Sequence, residues 1–258
     1  MGNILNAMQN STGTAFEGSC VVFATPDNKR VIKLPAHDAK EAFMRELHAI
    51  KSIHVPQQCE FVHATIESVT LAMLKQVPRH LRRRLWKGCV EGTPAIVMDM
   101  LSGCTALEKH LRRTLDPALT ADQLAELVIS LQKHGICNTD VKLENMQILE
   151  DGTLVFLDWG SLCRTDKSLG DIPTYTYAVA GYQLDPEVAM SINIICTLIE
   201  MHQRMIPLTG KFTPIQYAEL RQKALGLLNA KTRKVFETLL VPAEVVGVCP
   251  SIDRAIQN

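Results

Sequence analysis

The sequence has no net charge, no long apolar run and no paired-cysteine motif, and each absence removes a class of function. Lys+Arg and Asp+Glu both total 27, so nothing attracts nucleic acid in general, and nucleic acid is not an expected partner. No apolar run reaches the ~18 residues of a membrane span, so no membrane partner is expected either. The start of the chain carries no signal-peptide pattern. Met1-Gly2 gives little support to myristoylation, because Asn6 stands where Ser or Thr is preferred. The eight cysteines, Cys20, Cys59, Cys89, Cys104, Cys137, Cys163, Cys196 and Cys249, form no C-x-x-C, and no histidine spacing completes a zinc site. Free thiols in a reducing compartment are the expectation. There is no internal repeat and no low-complexity segment.

What is present is a chain of 258 residues, 47% of them apolar. That suffices for the core of one large domain or of a two-lobed one. The densest chemistry lies between Leu131 and Ser161. Asp140, Lys142 and Asn145 are followed, thirteen residues after Asn145, by Asp158-Trp159-Gly160. Two short apolar runs, 146–149 and 154–157, lie between them, joined through Glu150-Asp151-Gly152. Asp-Gly between apolar runs predicts a hairpin, since Gly accepts the positive φ of a tight turn. The hairpin is expected to bring Asp140, Asn145 and Asp158 near one point. Two carboxylates and an amide oxygen are hard donors that suit Mg²⁺ carried on a phosphate.

This stretch resembles the catalytic loop and metal-binding turn of protein kinases, H-R-D-x-K-x-x-N followed by D-F-G. The resemblance implies that Asp140 orients and deprotonates the acceptor hydroxyl and that Lys142 steadies the transferred phosphoryl group. It also implies that Asn145 and Asp158 hold Mg²⁺ on ATP. The sequence departs from the pattern at Asn138 (usually His), Thr139 (usually Arg) and Trp159 (usually Phe). The missing Arg is the one that reads a phosphate on the activation segment, so such phosphorylation is not the expected switch.

Other parts of the family's pattern occur in order. Gly13 and Gly18 match the outer glycines of G-x-G-x-x-G, with Ala15 in the middle place, and imply a loop over the ATP phosphates. Lys33, in V-I-K on an alternating strand, corresponds to the nucleotide-anchoring lysine. A helix is expected over 38–53, with Asp38 as N-cap, Glu41 as its capping-box partner and Phe43, Leu47, Ile50 and Ile53 on one face. Glu46 on that helix corresponds to the partner of Lys33. A strand over 95–101 would end in the hinge, with Met98 beside the adenine and Asp99 and Met100 offering backbone hydrogen bonds.

A helix opened by Thr120 and Gln123 and stopped at Gly135 would precede the catalytic loop. No A-P-E follows Gly160. Residues 161–184 are polar, with Thr174, Tyr175, Thr176 and Tyr177 clustered. Asp185-Pro186 opens a further helix with an apolar stripe of Val188, Ile192, Ile195 and Leu198, and Asp185 corresponds to a residue bracing the catalytic loop. Further helices are expected around 217–228 and 232–240, and the closing CPSIDRAI faintly echoes the family's last helix.

Residues 55–94 fit the family less well. Lys75, Arg79, Arg82, Arg83, Arg84 and Lys87 cluster there with Leu81, Leu85 and Trp86 interleaved. The cluster reads as a solvated amphipathic helix, a docking surface for an acidic partner at Arg79–Lys87, or a nuclear-import patch.

The expectation is therefore α+β: a two-lobed protein-kinase-like fold, with a lead over 1–10, a small β-rich lobe over about 11–100 and a mainly helical lobe over about 101–258. ATP and Mg²⁺ would lie between the lobes. The resemblance implies a serine/threonine-protein kinase acting on a protein substrate, since Lys142 follows the Ser/Thr-type pattern. Two alternatives stay open. One is a small-molecule phosphotransferase of the aminoglycoside or choline kinase type, which often has Trp after the metal aspartate. The other is a catalytically silent scaffold. The compact form is similar to divergent viral kinases and to kinases injected by bacterial pathogens, implying work in the cytosol, or in a host's cytosol or nucleus.

Overall fold

The computed structural model describes residues 15–17, 20–55, 61–165, 177–179, 186–203 and 210–244, with side chains left aside at 15–17, 177–179 and 210–212. Gly13, Gly18, Cys59, Cys249, Asp185, the Thr174–Thr176 cluster and the closing CPSIDRAI lie outside the described residues. The fold is mixed α and β, in keeping with the α+β expectation. Contacts divide the chain into two compact units. One takes the described parts of Met1–His54, Val62–Ser102 and Asp158–Gly160, and the other those of Val55–Phe61, Gly103–Leu157 and Ser161–Asn258.

The first unit is built on a five-stranded antiparallel sheet. Its strands are β1 (Ala15–Glu17), β2 (Cys20–Ala24), β3 (Arg30–Pro35), β4 (Ala64–Ser68) and β5 (Pro94–Asp99), in the order β1-β2-β3-β5-β4. Alternation sorts its residues onto two faces. Val21, Phe23, Ile32, Leu34, Ala95 and Val97 point one way, into a core completed by Val69, Met73, Val77, Leu81 and Cys89. Cys20 and Ile96 point the other way, with Val22 and Met98, and meet Phe43 and Leu47 of helix α1 (Lys40–Ser52). The sheet is thus covered on both faces, by α1 on one and by the stretch 69–89 on the other.

Two details differ from expectation. Helix α1 begins at Lys40 with Ala39 as a cap that makes no side-chain bond. The Ala39 N–H turns back to the Ala36 carbonyl, so a backbone turn leads into the helix and leaves Asp38 one position outside it. The basic stretch is not one amphipathic helix. It is the short helix α2 (Leu71–Gln76), capped by Thr70, followed by a single 3-10 turn over Arg82–Arg84.

The second unit holds the small sheets and the remaining helices. Strand β6 (Cys104–Thr105) leads into α3 (Ala106–Leu111), then α4 (Pro117–Lys133) and β7 (Ile136–Asn138). Helix α4 starts a turn earlier than Thr120: Asp116 caps the Ala118 and Leu119 N–H groups and Pro117 fills the first position. Thr120 is buried inside the first turn, its hydroxyl donating to the Asp116 carbonyl. The helix stops as expected, with Gly135 at φ 64°. The predicted hairpin forms from β8 (Met146–Ile148) and β9 (Leu154–Phe156), with Ile148 opposite Leu154 and Gly152 at φ 90°. Strand β6 adds to β8, and β7 pairs with β10 (Leu162–Arg164).

Strand β11 (Tyr177–Val179) runs parallel to β12 (Gly210–Phe212). Between them in sequence is α5 (Pro186–Gln203), buried almost throughout, including Val188, Ile192, Ile195 and Leu198. Helices α6 (Pro214–Gly226) and α7 (Ala230–Leu239) follow, α6 opened by a Thr213–Gln216 capping box. Six cysteines among the described residues are free thiols. None of the described helices is long and apolar enough to cross a membrane.

A helix apolar on nearly every side belongs in a core, which makes its buried Glu200 costly to ionise. Burial first, then the nearby Glu144 charge, push the Glu200 carboxyl up to about 7. Its folded value exceeds the ordinary 4.5, so folding favours the protonated form and stability falls as pH rises from that ordinary value through about 7. Glu200→Gln should therefore be more stable than wild type at alkaline pH, on the order of 2 kcal/mol, with the gap closing in mild acid. Urea unfolding at several pH values reads this directly; a pH-independent difference would refute it.

Candidate functional site

The sequence-predicted residues fall into two clusters, one in each unit. In the first, Lys33 sits on the central strand β3, opposite Val22 on one side and Ile96 on the other. Strand alternation turns its side chain to the face that α1 covers. On α1, Glu46 lies between the buried Phe43 and Leu47 and is itself 2% exposed. The two periods, two along the strand and 3.6 around the helix, meet in an ion pair of 2.5 Å between Lys33 Nζ and Glu46 Oε2.

Asp158 joins this pair, its Oδ1 3.9 Å from Lys33 Nζ. The same oxygen accepts the Gly160 N–H at 2.8 Å. Trp159 is buried and its Nε1–H donates to the Val62 carbonyl at 3.0 Å, which pins the Asp-Trp-Gly turn. Gly160 leaves little room for a side chain: a Cβ there would stand 3.1 Å from Asp158 Oδ1. Asp158 is the open member of the cluster, with 35% of its side chain exposed against 13% for Lys33.

Burial by itself pulls the Lys33 ammonium down, but the Glu46 and Asp158 carboxylates more than offset it, and its pKa lies above the ordinary lysine value. Burial, with Asp158 adding to it, pushes Glu46 up to about 7 against the pull of Lys33. A lysine so placed is a fixed cation presented beside a half-buried carboxylate.

Met98 packs against the same core cluster from β5, between Val31 of β3 and Ala64 of β4. The Met100 N–H donates to the Lys29 carbonyl at 2.9 Å and the Asp99 N–H to the His63 carbonyl at 3.3 Å. Both donors are thus engaged within the unit, and a ligand would have to meet these two residues through other atoms.

The second cluster is the loop after β7. Asp140 accepts from Lys142 Nζ at 2.7 Å and from Asn145 Nδ2 at 2.9 Å. Asn145 Nδ2 also reaches the Asp140 carbonyl at 3.0 Å, so the Asn145 amide oxygen is the atom left for another partner. The 3-10 turn Leu143–Asn145 then feeds β8, and the Asn145 carbonyl accepts the Leu157 N–H across the hairpin. Asn138, in the place where His was expected, has its own role: its Oδ1 accepts the Asp140 N–H at 3.1 Å. Thr139 is fully buried and gives both its N–H and its hydroxyl to the Ser161 carbonyl.

Sequence reasoning missed what holds this loop from beneath. Asn193 donates to the Thr139 carbonyl at 2.9 Å and Thr197 to the Val141 carbonyl at 2.9 Å, both from buried positions on α5. The available signal was a pair of polar residues four apart in a mostly apolar helix. Among the described residues no group of three or more His, Cys, Asp and Glu could hold a metal ion.

Two expected outcomes follow from these contacts. Asn193→Ala leaves a buried carbonyl without its donor and should cost about 2 kcal/mol in urea unfolding. Lys33→Met leaves Glu46 buried without its cation. It should cost about 3 kcal/mol at alkaline pH and less in mild acid, because Glu46 then takes up a proton. A Lys33→Met variant as stable as wild type at alkaline pH would show that the pair has no energetic weight.

No family model matches this chain. The chain is similar to the serine/threonine-protein kinase cds1 of Schizosaccharomyces pombe, 29% identical over 171 residues. The match covers 65% of this chain and 32% of the relative, so the chain spans about a third of that protein's length. At that coarse level the likeness points to a kinase-like relationship.

Proposed function

We propose that this chain transfers the γ-phosphoryl group of ATP to a Ser or Thr hydroxyl of a protein substrate. The observation that carries the reading is the Lys33 ammonium, fixed at 2.5 Å from Glu46 and 3.9 Å from Asp158. A buried cation held by one carboxylate and flanked by a more exposed one suits the phosphates of a nucleotide and the metal that travels with them. The likeness to a serine/threonine-protein kinase supports the same class of chemistry.

In this reading Lys33 meets the phosphates and Glu46 keeps it extended. Asp140 takes the proton of the acceptor hydroxyl as its oxygen bonds to phosphorus and the bond to ADP breaks. Lys142, 2.7 Å from Asp140, offsets the charge on the transferred group. Asp158 and Asn145 each offer a hard oxygen donor of the kind Mg²⁺ takes, and the resemblance assigns both to the metal. The ion would supply charge neutralisation on the phosphates. Met98 lies on the sheet face that Lys33 shares, which fits a place near the base of the nucleotide.

The test is transfer of labelled γ-phosphate from Mg·ATP by wild type, Asp140→Asn and Asp158→Ala, with basic protein, kanamycin and choline as acceptors. Label on protein should fall by about a hundredfold or more in Asp140→Asn and vanish in Asp158→Ala. Label on kanamycin or choline instead would move the substrate to small molecules. Nucleotide binding without any transfer would make the chain a silent scaffold.

A further inference from the structure

We infer that the layer formed by residues 69–89 is a docking surface for an acidic segment of a partner protein. The inference goes beyond phosphoryl transfer and uses none of its residues. Between Glu67 and Glu91 the sequence has no acidic residue and six Lys and Arg. The layer has a definite inside: Met73, Val77, Leu81 and Cys89 are buried against the sheet. It is tied down by backbone bonds, His37 N–H to the Arg84 carbonyl and Trp86 N–H to the Pro35 carbonyl. Its outside is consequently fixed as well, and there Lys75, Arg79, Arg82, Arg83 and Lys87 are exposed.

These cations are not absorbed by the protein's own acids among the described residues. Among the described residues none of the five makes an ion pair. Arg82 instead donates to the backbone carbonyls of Val77 and Lys75, which holds its guanidinium in one place. A chain with zero net charge that gathers five exposed cations, without ion pairs among the described residues, on one ordered layer has a local positive field rather than a general one.

The occupant that fits is a run of carboxylates on a peptide. The exposed cations recur over thirteen residues of one layer, from Lys75 to Lys87, which suits several acidic side chains in sequence. Guanidinium groups bind carboxylates in a forked, two-bond geometry. A nucleic acid is a poorer fit, because single strands also need an aromatic face on which bases stack. The aromatic here, Trp86, is half-buried and lies against Gly88, where any Cβ would come within 2.4 Å of its ring. The Lys40 ammonium also stands 4.4 Å from the ring centroid.

The test is fluorescence anisotropy of a labelled poly-Glu peptide against the full chain, without nucleotide. Two variants spare the anchored Arg82: Arg79→Gln/Arg83→Gln/Lys87→Gln, and the milder Lys75→Gln/Lys87→Gln. Urea midpoints confirm that both fold. Wild type should bind at low salt and lose the peptide as ionic strength rises toward about 1 M, where the screening length falls to ~3 Å. The triple variant should bind about tenfold more weakly, and the double variant should fall between. The inference is overturned by wild type that does not bind, by variants that bind equally well, or by a single-stranded oligonucleotide of equal charge that binds more tightly than the peptide.

Discussion

The buried contact between Lys33 and Glu46 sets the terms for the unit that contains it. Taking two charges out of water is expensive, and attraction at close range repays that only when the geometry is held rigidly. Here the holding is done by apolar packing on either side. Phe43 and Leu47 fix α1 against Cys20 and Ile96 of the sheet, and β3 is paired on both edges. The charge pair therefore requires this packing to hold its geometry. What the pair adds is a firmly charged lysine in a place where burial alone would weaken its hold on the proton. Asp158 then turns a structural ion pair into something with an outward face, because it shares the Lys33 charge while more than a third of its side chain reaches solvent.

The loop in the other unit solves a different problem. Asp140 is held by short local bonds: its N–H donates to Asn138 Oδ1 and its carboxylate accepts from Lys142 and Asn145. Those bonds fix the loop only if its backbone is also fixed. Asn193 and Thr197 supply that from α5, meeting carbonyls at Thr139 and Val141 on either side of Asp140. Polar atoms in an apolar helix would be a liability if unpaired. Here the Asn193 amide nitrogen and the Thr197 hydroxyl are paired and are the means by which the core positions the loop, while Asn193 Oδ1 is buried without a partner among the described residues.

How far these features could be read in the sequence depends on how local their causes are. The β8–β9 hairpin was legible because Asp151-Gly152 and the flanking apolar runs contain the whole signal. The Lys33–Glu46 contact was legible only through the order of residues that resembles a known family, since nothing local ties position 33 to position 46. The start of α4 was misjudged because two capping signals competed, and Asp116-Pro117 won over Thr120-Gln123. The layer over 69–89 had no period to read: it is a short helix, a single 3-10 turn and loop, and its order comes from apolar side chains meeting a sheet face distant in sequence. Asn193 and Thr197 were hidden for a similar reason, because their partners are carbonyls more than fifty residues away.

Thr139 shows how a departure from a motif can be physically coherent. An arginine at a fully buried position would need a countercharge, and without one its desolvation would cost several kcal/mol. Thr139 needs none, since its N–H, hydroxyl and carbonyl are met by Ser161 and Asn193. The loop backbone is thus braced by neutral hydrogen bonds that salt does not screen, and Thr139 offers no cation to answer a phosphate. If the loop does the chemistry proposed here, its geometry is built in by the fold, and an on–off signal has to enter by another route. The exposed cations of the 69–89 layer, unpaired among the described residues, are a place where such a signal could be received as the binding of a partner.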